Sequence, residues 1–163
     1  MQQFTQKYTI VHLNDDMPLG YEYAMENWPL HVTLADVFSI DGDADSLLQD
    51  LSKKFTSTKP FDAKVVGDEW FGESKNIHVD IIDKTDELST LHDEVLNVLQ
   101  NYDVKFNSPE YNHTGFKPHS TVQKDHQLNL GSVVTFGSLT LIDMFPDENP
   151  YRRKVLGTVY FSF

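Results

Sequence analysis

The stretches "WPLHVTL" at 28–34 and "KPHSTV" at 117–122 each hold a histidine, one intervening residue and a threonine, with a proline just upstream. Imidazole is the side chain whose unperturbed pKa lies near neutrality, so one histidine can take a proton while a second gives one at the same pH. A threonine hydroxyl can donate to a phosphoryl oxygen without adding charge. Facing each other across a cleft, two such units would set His31 and His119 on opposite sides of one phosphorus, with Thr33 and Thr121 on its oxygens. That is in-line acid–base chemistry on a phosphodiester, with no metal required. A single His-x-Thr arises by chance. Two of them, both in apolar strand-like surroundings and in opposite halves of the chain, form a more specific signal.

The device works only if both side chains of a motif leave the same face of the backbone, as residues i and i+2 of a strand do. The motifs therefore need strands, with Val32 and Leu34 on the packed side of the first and Val122 on the packed side of the second. β-rich runs at 7–14 and 30–40 meet the first need. "DGDADSLLQDLSKKF" at 41–55 offers aspartates for an N-cap and sets Leu47, Leu48, Leu51 and Phe55 on one helical face. "FDAKVVGDEWFG" and "NIHVDIID", separated by "ESK", predict a hairpin. A second helix is expected from near Thr85, with Leu88, Leu91, Val95, Val98 and Tyr102 spaced at threes and fours. The segment 103–118 is punctuated by Pro, Gly and Asn and reads as a loop with at most a short strand. "SVVTFGSLTLIDMF" and "KVLGTVYFSF" predict two long strands joined by the turn "PDENPYRR". About seven strands and two helices in mixed order predict an α+β fold with antiparallel sheets. No linker divides the chain, so 1–163 is expected to form a single domain.

Composition narrows the partners. The chain has 163 residues, 39% of them hydrophobic, which allows one sizeable core or two small lobes sharing an interface. It lacks cysteine, so disulfides, thiolate catalysis and cysteine-ligated zinc are excluded. Thirteen Lys and Arg against twenty-five Asp and Glu leave a formal charge of -12, which repels duplex nucleic acid and favours a small nucleotide or a terminus held at one point. The start "MQQFTQKYTIVHLNDD" shows no basic segment followed by an apolar run, and no stretch reaches membrane-spanning length, so a cytoplasmic protein without membrane partners is expected.

With "HVTL" at 31–34 and "HSTV" at 119–122, and with this order of elements over nearly the whole chain, the sequence resembles the two-histidine (2H) phosphoesterase superfamily. Within it the resemblance is to the proteins called 2'-5' RNA ligase or RNA 2',3'-cyclic phosphodiesterase. The resemblance implies two pseudo-symmetric lobes of antiparallel sheet with flanking helices around a central cleft. It implies that His31 protonates the leaving ribose oxygen, that His119 activates water on a 2',3'-cyclic phosphate, and that Thr33 and Thr121 grip the phosphate. Ligation is the reverse chemistry and would use the same groups. Relatives often carry an Arg five positions after the second His. Lys124 stands there in this chain and is the expected further phosphate ligand, with the charge kept and the bidentate fork lost. Asp36 puts a carboxylate where an apolar or aromatic residue is expected, which makes a small cyclic nucleotide a live alternative to RNA.

Trp28, Trp70, Phe71 and Phe116 are expected chiefly in the core, with Phe116 the preferred candidate to stack on a base. Lys75, Arg152 and Arg153 are expected in solvated turns. His12, His78, His92, His113 and His126 show no spacing typical of metal ligands, so neither a metal nor another cofactor is expected; His113 alone of these is placed to line the cleft. The expected partner is a nucleotide or an RNA terminus bearing a cyclic phosphate, met by a monomer. Two other readings predict different behaviour. A non-catalytic nucleotide-binding module would bind without product, and a purely structural protein would keep the two imidazoles apart.

Overall fold

The computed structural model describes residues 6–15, 17–123 and 127–162. Among these residues the strands are β1 Tyr8–Leu13, β2 Glu22–Ala24, β3 His31–Ser39, β4 Phe61–Phe71, β5 Ile77–Ile82, β6 Lys105–Phe106, β7 His119–Thr121, β8 Val133–Phe136, β9 Ser138–Asp143 and β10 Arg152–Tyr160. Two helices, α1 Ala44–Phe55 and α2 Asp86–Gln100, complete an α+β fold. The strands form a six-stranded sheet, ordered β2-β10-β9-β1-β3-β6, and a four-stranded sheet, ordered β7-β5-β4-β8. Every recorded strand pair is antiparallel.

Both helices begin where the sequence predicts. Asp43 caps α1 by accepting from the Ser46 N–H at 2.7 Å, and Thr85 caps α2 by accepting from the Leu88 N–H at 3.1 Å. Each cap contributes about 1 kcal/mol. Leu47, Leu51 and Phe55 are buried on α1, and Leu88, Leu91, Val95 and Val98 on α2. The first helix lies on β10, and the second on β3. A Cβ at Gly157 would meet the Leu48 methyls at 2.9 Å, so glycine is what lets α1 approach β10 this closely.

One long strand of the sequence reading is two. "SVVTFGSLTLIDMF" breaks at Gly137, and its halves join different sheets: β8 pairs with β4, while β9 lies between β1 and β10. Burial follows the change of setting. Residues of β8 alternate exposed and buried, as on a sheet edge, whereas Ser138 to Ile142 are buried without alternation at the centre of the larger sheet. The hairpin of β9 and β10, like that of β4 and β5, pairs as expected.

The main core draws on both sheets and both helices, with Phe38, Phe55, Phe136 and Leu139 among its fully buried members. Truncating such a phenylalanine to alanine costs about 3–5 kcal/mol. Neighbouring residues of the larger sheet point the other way: Ile10 and Leu141 enter this core, while Val11 and Ile142 enter a smaller cluster with Leu13, Tyr23, Met144 and Val155. Among the described residues no helix is long and apolar enough to cross a membrane.

Candidate active site

The first motif opens β3. Its pairing with β1 sets Leu13 opposite His31 and Val11 opposite Thr33. Val32 and Leu34 are fully buried, so His31 and Thr33 emerge together on the less buried face. The His31 Nδ1 lies 2.8 Å from the Pro29 carbonyl oxygen. A carbonyl only accepts, so in the neutral ring Nδ1 carries the proton and Nε2 keeps the lone pair. The ring lies 4.3 Å from the Trp28 indole, which is held edge-on by Tyr23 at 5.1 Å and faced by the Arg153 guanidinium at 5.7 Å. Burial pushes the His31 pKa down to about 4, against the pull of the Pro29 hydrogen bond and with a smaller push from the His119 imidazole. The ring is therefore neutral at pH 7.

The second motif opens β7, which pairs with β5 so that Ile81 faces His119 and Val79 faces Thr121. The His119 Nδ1 donates to the Lys117 carbonyl at 2.7 Å, repeating the first motif's bond to the residue two positions upstream. Phe71 meets this ring edge-on at 4.8 Å, with 71° between planes. Burial lowers the His119 pKa. The Lys117 carbonyl and then the Asp36 carboxylate oppose that shift, and the Lys117 ammonium adds to it. The packed side chain here is Ser120, fully buried; Val122, expected to fill that role, lies beyond the end of β7 and is half-buried.

Strands β3 and β7 are in contact, which brings the motifs together where the sheets meet. A cleft of about 590 Å³ opens there, walled by Thr33, Asp36, His119 and Thr121 and by apolar groups including Phe71, Ile77, Tyr111 and Phe116. His31 stands outside those lining residues but within electrostatic reach of His119. Of the remaining sequence candidates, Phe116 is 7% exposed and lies flat on the His92 ring at 4.0 Å and 3°. Lys124 and His126 lie outside the described residues.

His113 does not line the cleft. Its ring turns outward to a hydrogen bond between Nδ1 and the Asp93 Oδ1 at 2.9 Å, while its backbone N–H donates to the His92 Nε2 at 2.9 Å. His92 is the wall residue instead. The α2 pattern shows it only as one more helical position, and the partners that give it a role lie on other elements. Arg153 also departs from its expected solvated turn: it is buried, and its Nη1 donates to the Met144, Pro150 and Arg152 carbonyls. Trp70 is 55% exposed and stacks on His78 at 4.5 Å, outside the core. Among the described residues no group of three or more His, Asp or Glu is arranged to hold a metal. Chemically, the site offers two imidazoles presenting Nε2 and two hydroxyls, which can move protons and hold a phosphoryl oxygen.

The family model of the 2'-5' RNA ligase superfamily matches residues 3–130. The chain belongs to this superfamily. Its two-histidine phosphoesterase fold is shared by a crystal structure described as a phosphoesterase, 14% identical, with a TM-score of 0.63 over 97% of this chain and 99% of that one. It is shared also by E. coli LigT complexed with ATP, at 14% identity and TM-score 0.57 over 97% and 98% of the two chains. E. coli LigT complexed with 3'-AMP gives 13% identity and 0.58 over 97% and 99%. No curated protein matches the chain.

Proposed function

We propose that this superfamily member is a metal-independent cyclic phosphodiesterase, formed by a single bilobal domain, that hydrolyses a 2',3'-cyclic phosphate on a small nucleotide or an RNA terminus. One observation carries the reading: both motif histidines bond through Nδ1 to a carbonyl two residues upstream, so each offers Nε2 in the tautomer that can accept a proton. The threonines two residues on, Thr33 and Thr121, share the cleft and are the phosphate ligands of this reading. Lys124 is proposed as a further ligand by its place after the second motif. The LigT structures complexed with ATP and 3'-AMP give the nucleotide part of the reading its precedent within the fold.

In this mechanism water attacks phosphorus while His119 Nε2 takes its proton, and His31 in its protonated form gives a proton to the departing ribose oxygen. One P–O bond forms, one breaks, and the ring opens to a phosphomonoester. With a ribose 5'-hydroxyl attacking phosphorus in place of water, the same transfers join a 2'-5' linkage, the 3' oxygen leaving with the proton from His31.

The test is hydrolysis of nucleoside 2',3'-cyclic phosphates in the presence of a chelator, with products separated by chromatography. Turnover by the wild type and its loss in His31→Ala and His119→Ala are expected. Wild-type rates in both variants sink the proposal, and nucleotide binding without product points to a binding module on the same fold.

A further inference from the structure

Asp36 is a carboxylate in a cleft read as taking an anion, and the backbone is shaped to put it there. In a regular strand Ala35 would share a face with His31 and Thr33, and Asp36 would point away. The pairing of β1 with β3 slips twice, from Val11↔Thr33 to Ile10↔Ala35 and then to Tyr8↔Phe38, so β3 carries an extra residue at each slip. Such bulges re-aim side chains. Leu34 and Ala35 are consequently both fully buried, and Asp36 joins Thr33 in the cleft wall.

Side chains from elsewhere hold the distorted backbone. The Leu34 carbonyl accepts from His92 Nδ1 at 2.7 Å, and the Ala35 carbonyl accepts from Thr9 Oγ1 at 2.7 Å. The carboxylate itself is oriented, because its Oδ1 accepts from the Val37 N–H at 2.8 Å. Among the described wall residues the other formal charge is Lys117, and its ammonium is paired with Glu69. Among the described residues no cation is paired with Asp36, which sets a negative charge beside the place the phosphate would occupy.

The geometry points to Asp36 as a charge discriminator that selects a singly charged cyclic phosphodiester on an otherwise uncharged nucleoside and rejects ligands bearing further phosphate. This assignment rests on the phosphodiesterase reading above. A cyclic diester carries one negative charge, whereas its monoester product approaches two at neutral pH. The carboxylate therefore opposes the product more than the substrate and speeds its release. It opposes a 5'-phosphate or a longer strand for the same reason, while accepting a hydrogen bond from a sugar hydroxyl or a base amine.

The experiment compares wild type with the near-isosteric Asp36→Asn on adenosine 2',3'-cyclic phosphate and on the same nucleotide carrying a 5'-phosphate. The wild type should prefer the first in kcat/KM by about tenfold, as one like charge at close range implies, and Asp36→Asn should bring the two substrates near parity. Inhibition by the monoester product should tighten in the variant. An unchanged preference overturns the assignment, even where the pH profile moves. Absence of any turnover by the wild type counts against the phosphodiesterase reading instead. In that event calorimetry with adenosine 3'-phosphate and adenosine 3',5'-bisphosphate decides: the assignment stands if only the wild type disfavours the bisphosphate, and falls if both proteins treat the two ligands alike or neither binds.

Discussion

In the first half-site His31 rests against the Trp28 indole and its pKa is governed by burial, the Pro29 carbonyl and the His119 imidazole; in the second, His119 meets the edge of Phe71 and feels the carboxylate of Asp36. The bond that orients each ring is the same, Nδ1 to the carbonyl two residues upstream. The two halves therefore share geometry and differ in electrostatics. Tautomer and aim belong to the local strand-entry conformation, which each motif carries with it. The readiness to hold a proton belongs to what the rest of the fold places nearby.

Breaking the shared geometry should cost most. His31→Ala and His119→Ala should each lower kcat/KM by about a thousandfold, the scale of one general acid or base. The double variant should be little worse than either single one, since the two rings act as a unit. Unchanged far-ultraviolet circular dichroism would assign the loss to chemistry rather than folding. Thr33→Val and Thr121→Val come next, at roughly tenfold to a hundredfold each, the worth of a hydrogen bond to a charged oxygen. Losses differing by more than tenfold between the two would show that phosphate is held by one half alone.

The features that repeat were legible in the sequence, and those that differ were not. His31, Thr33, His119 and Thr121 could be named because a two-residue spacing on a strand has one geometric meaning. Caps at Asp43 and Thr85 declared the helices in the same local way. The passage at Gly137 from one sheet to the other could not be read, because a glycine and a one-residue slip in phase, from Val134 and Phe136 to Leu139 and Leu141, do not say that the halves join different sheets. Nor could the bulges of β3, whose freed carbonyls at Leu34 and Ala35 are taken by His92 and Thr9 from other elements. Asp36 was visible only as a residue out of character until the bulge gave it a direction.

The electrostatic difference can be read directly by NMR titration of the imidazoles. His31 should stay neutral until the pH falls to about 4, and Asp36→Asn should lower the His119 pKa further while moving His31 less. For His31 to deliver a proton at neutral pH, as the proposed mechanism requires, the charge of a bound phosphate must raise its pKa. Saturation with inorganic phosphate should therefore shift the His31 titration upward. A His31 that stays neutral with phosphate bound would reverse the roles and make His119 the acid.

The smallest expected effect tests how the wall between the halves is held. His92 donates through Nδ1 to Leu34, accepts at Nε2 from the His113 N–H, and stacks on Phe116, so it ties β3 to the loop that forms one side of the cleft. The bond accepted at Nε2 needs the neutral ring, and burial favours that form by lowering the His92 pKa; the Nδ1 bond to Leu34 survives protonation. A group whose folded pKa is depressed contributes at neutral pH and loses that contribution as pH falls, because the arriving proton takes the lone pair that receives the His113 N–H. His92→Gln should raise KM by roughly threefold to tenfold with kcat nearly unchanged, the worth of about one hydrogen bond and a lost ring contact. It should also remove the part of the acid-side rise in KM that His92 protonation causes, since glutamine does not titrate. His92→Phe preserves the stacking but leaves the Leu34 carbonyl without its donor, and should lower thermal stability more than His92→Gln does. If the glutamine variant keeps both the wild-type KM and its acid-side rise, the ring is ordinary core packing, and the two half-sites are held in register by the sheets alone.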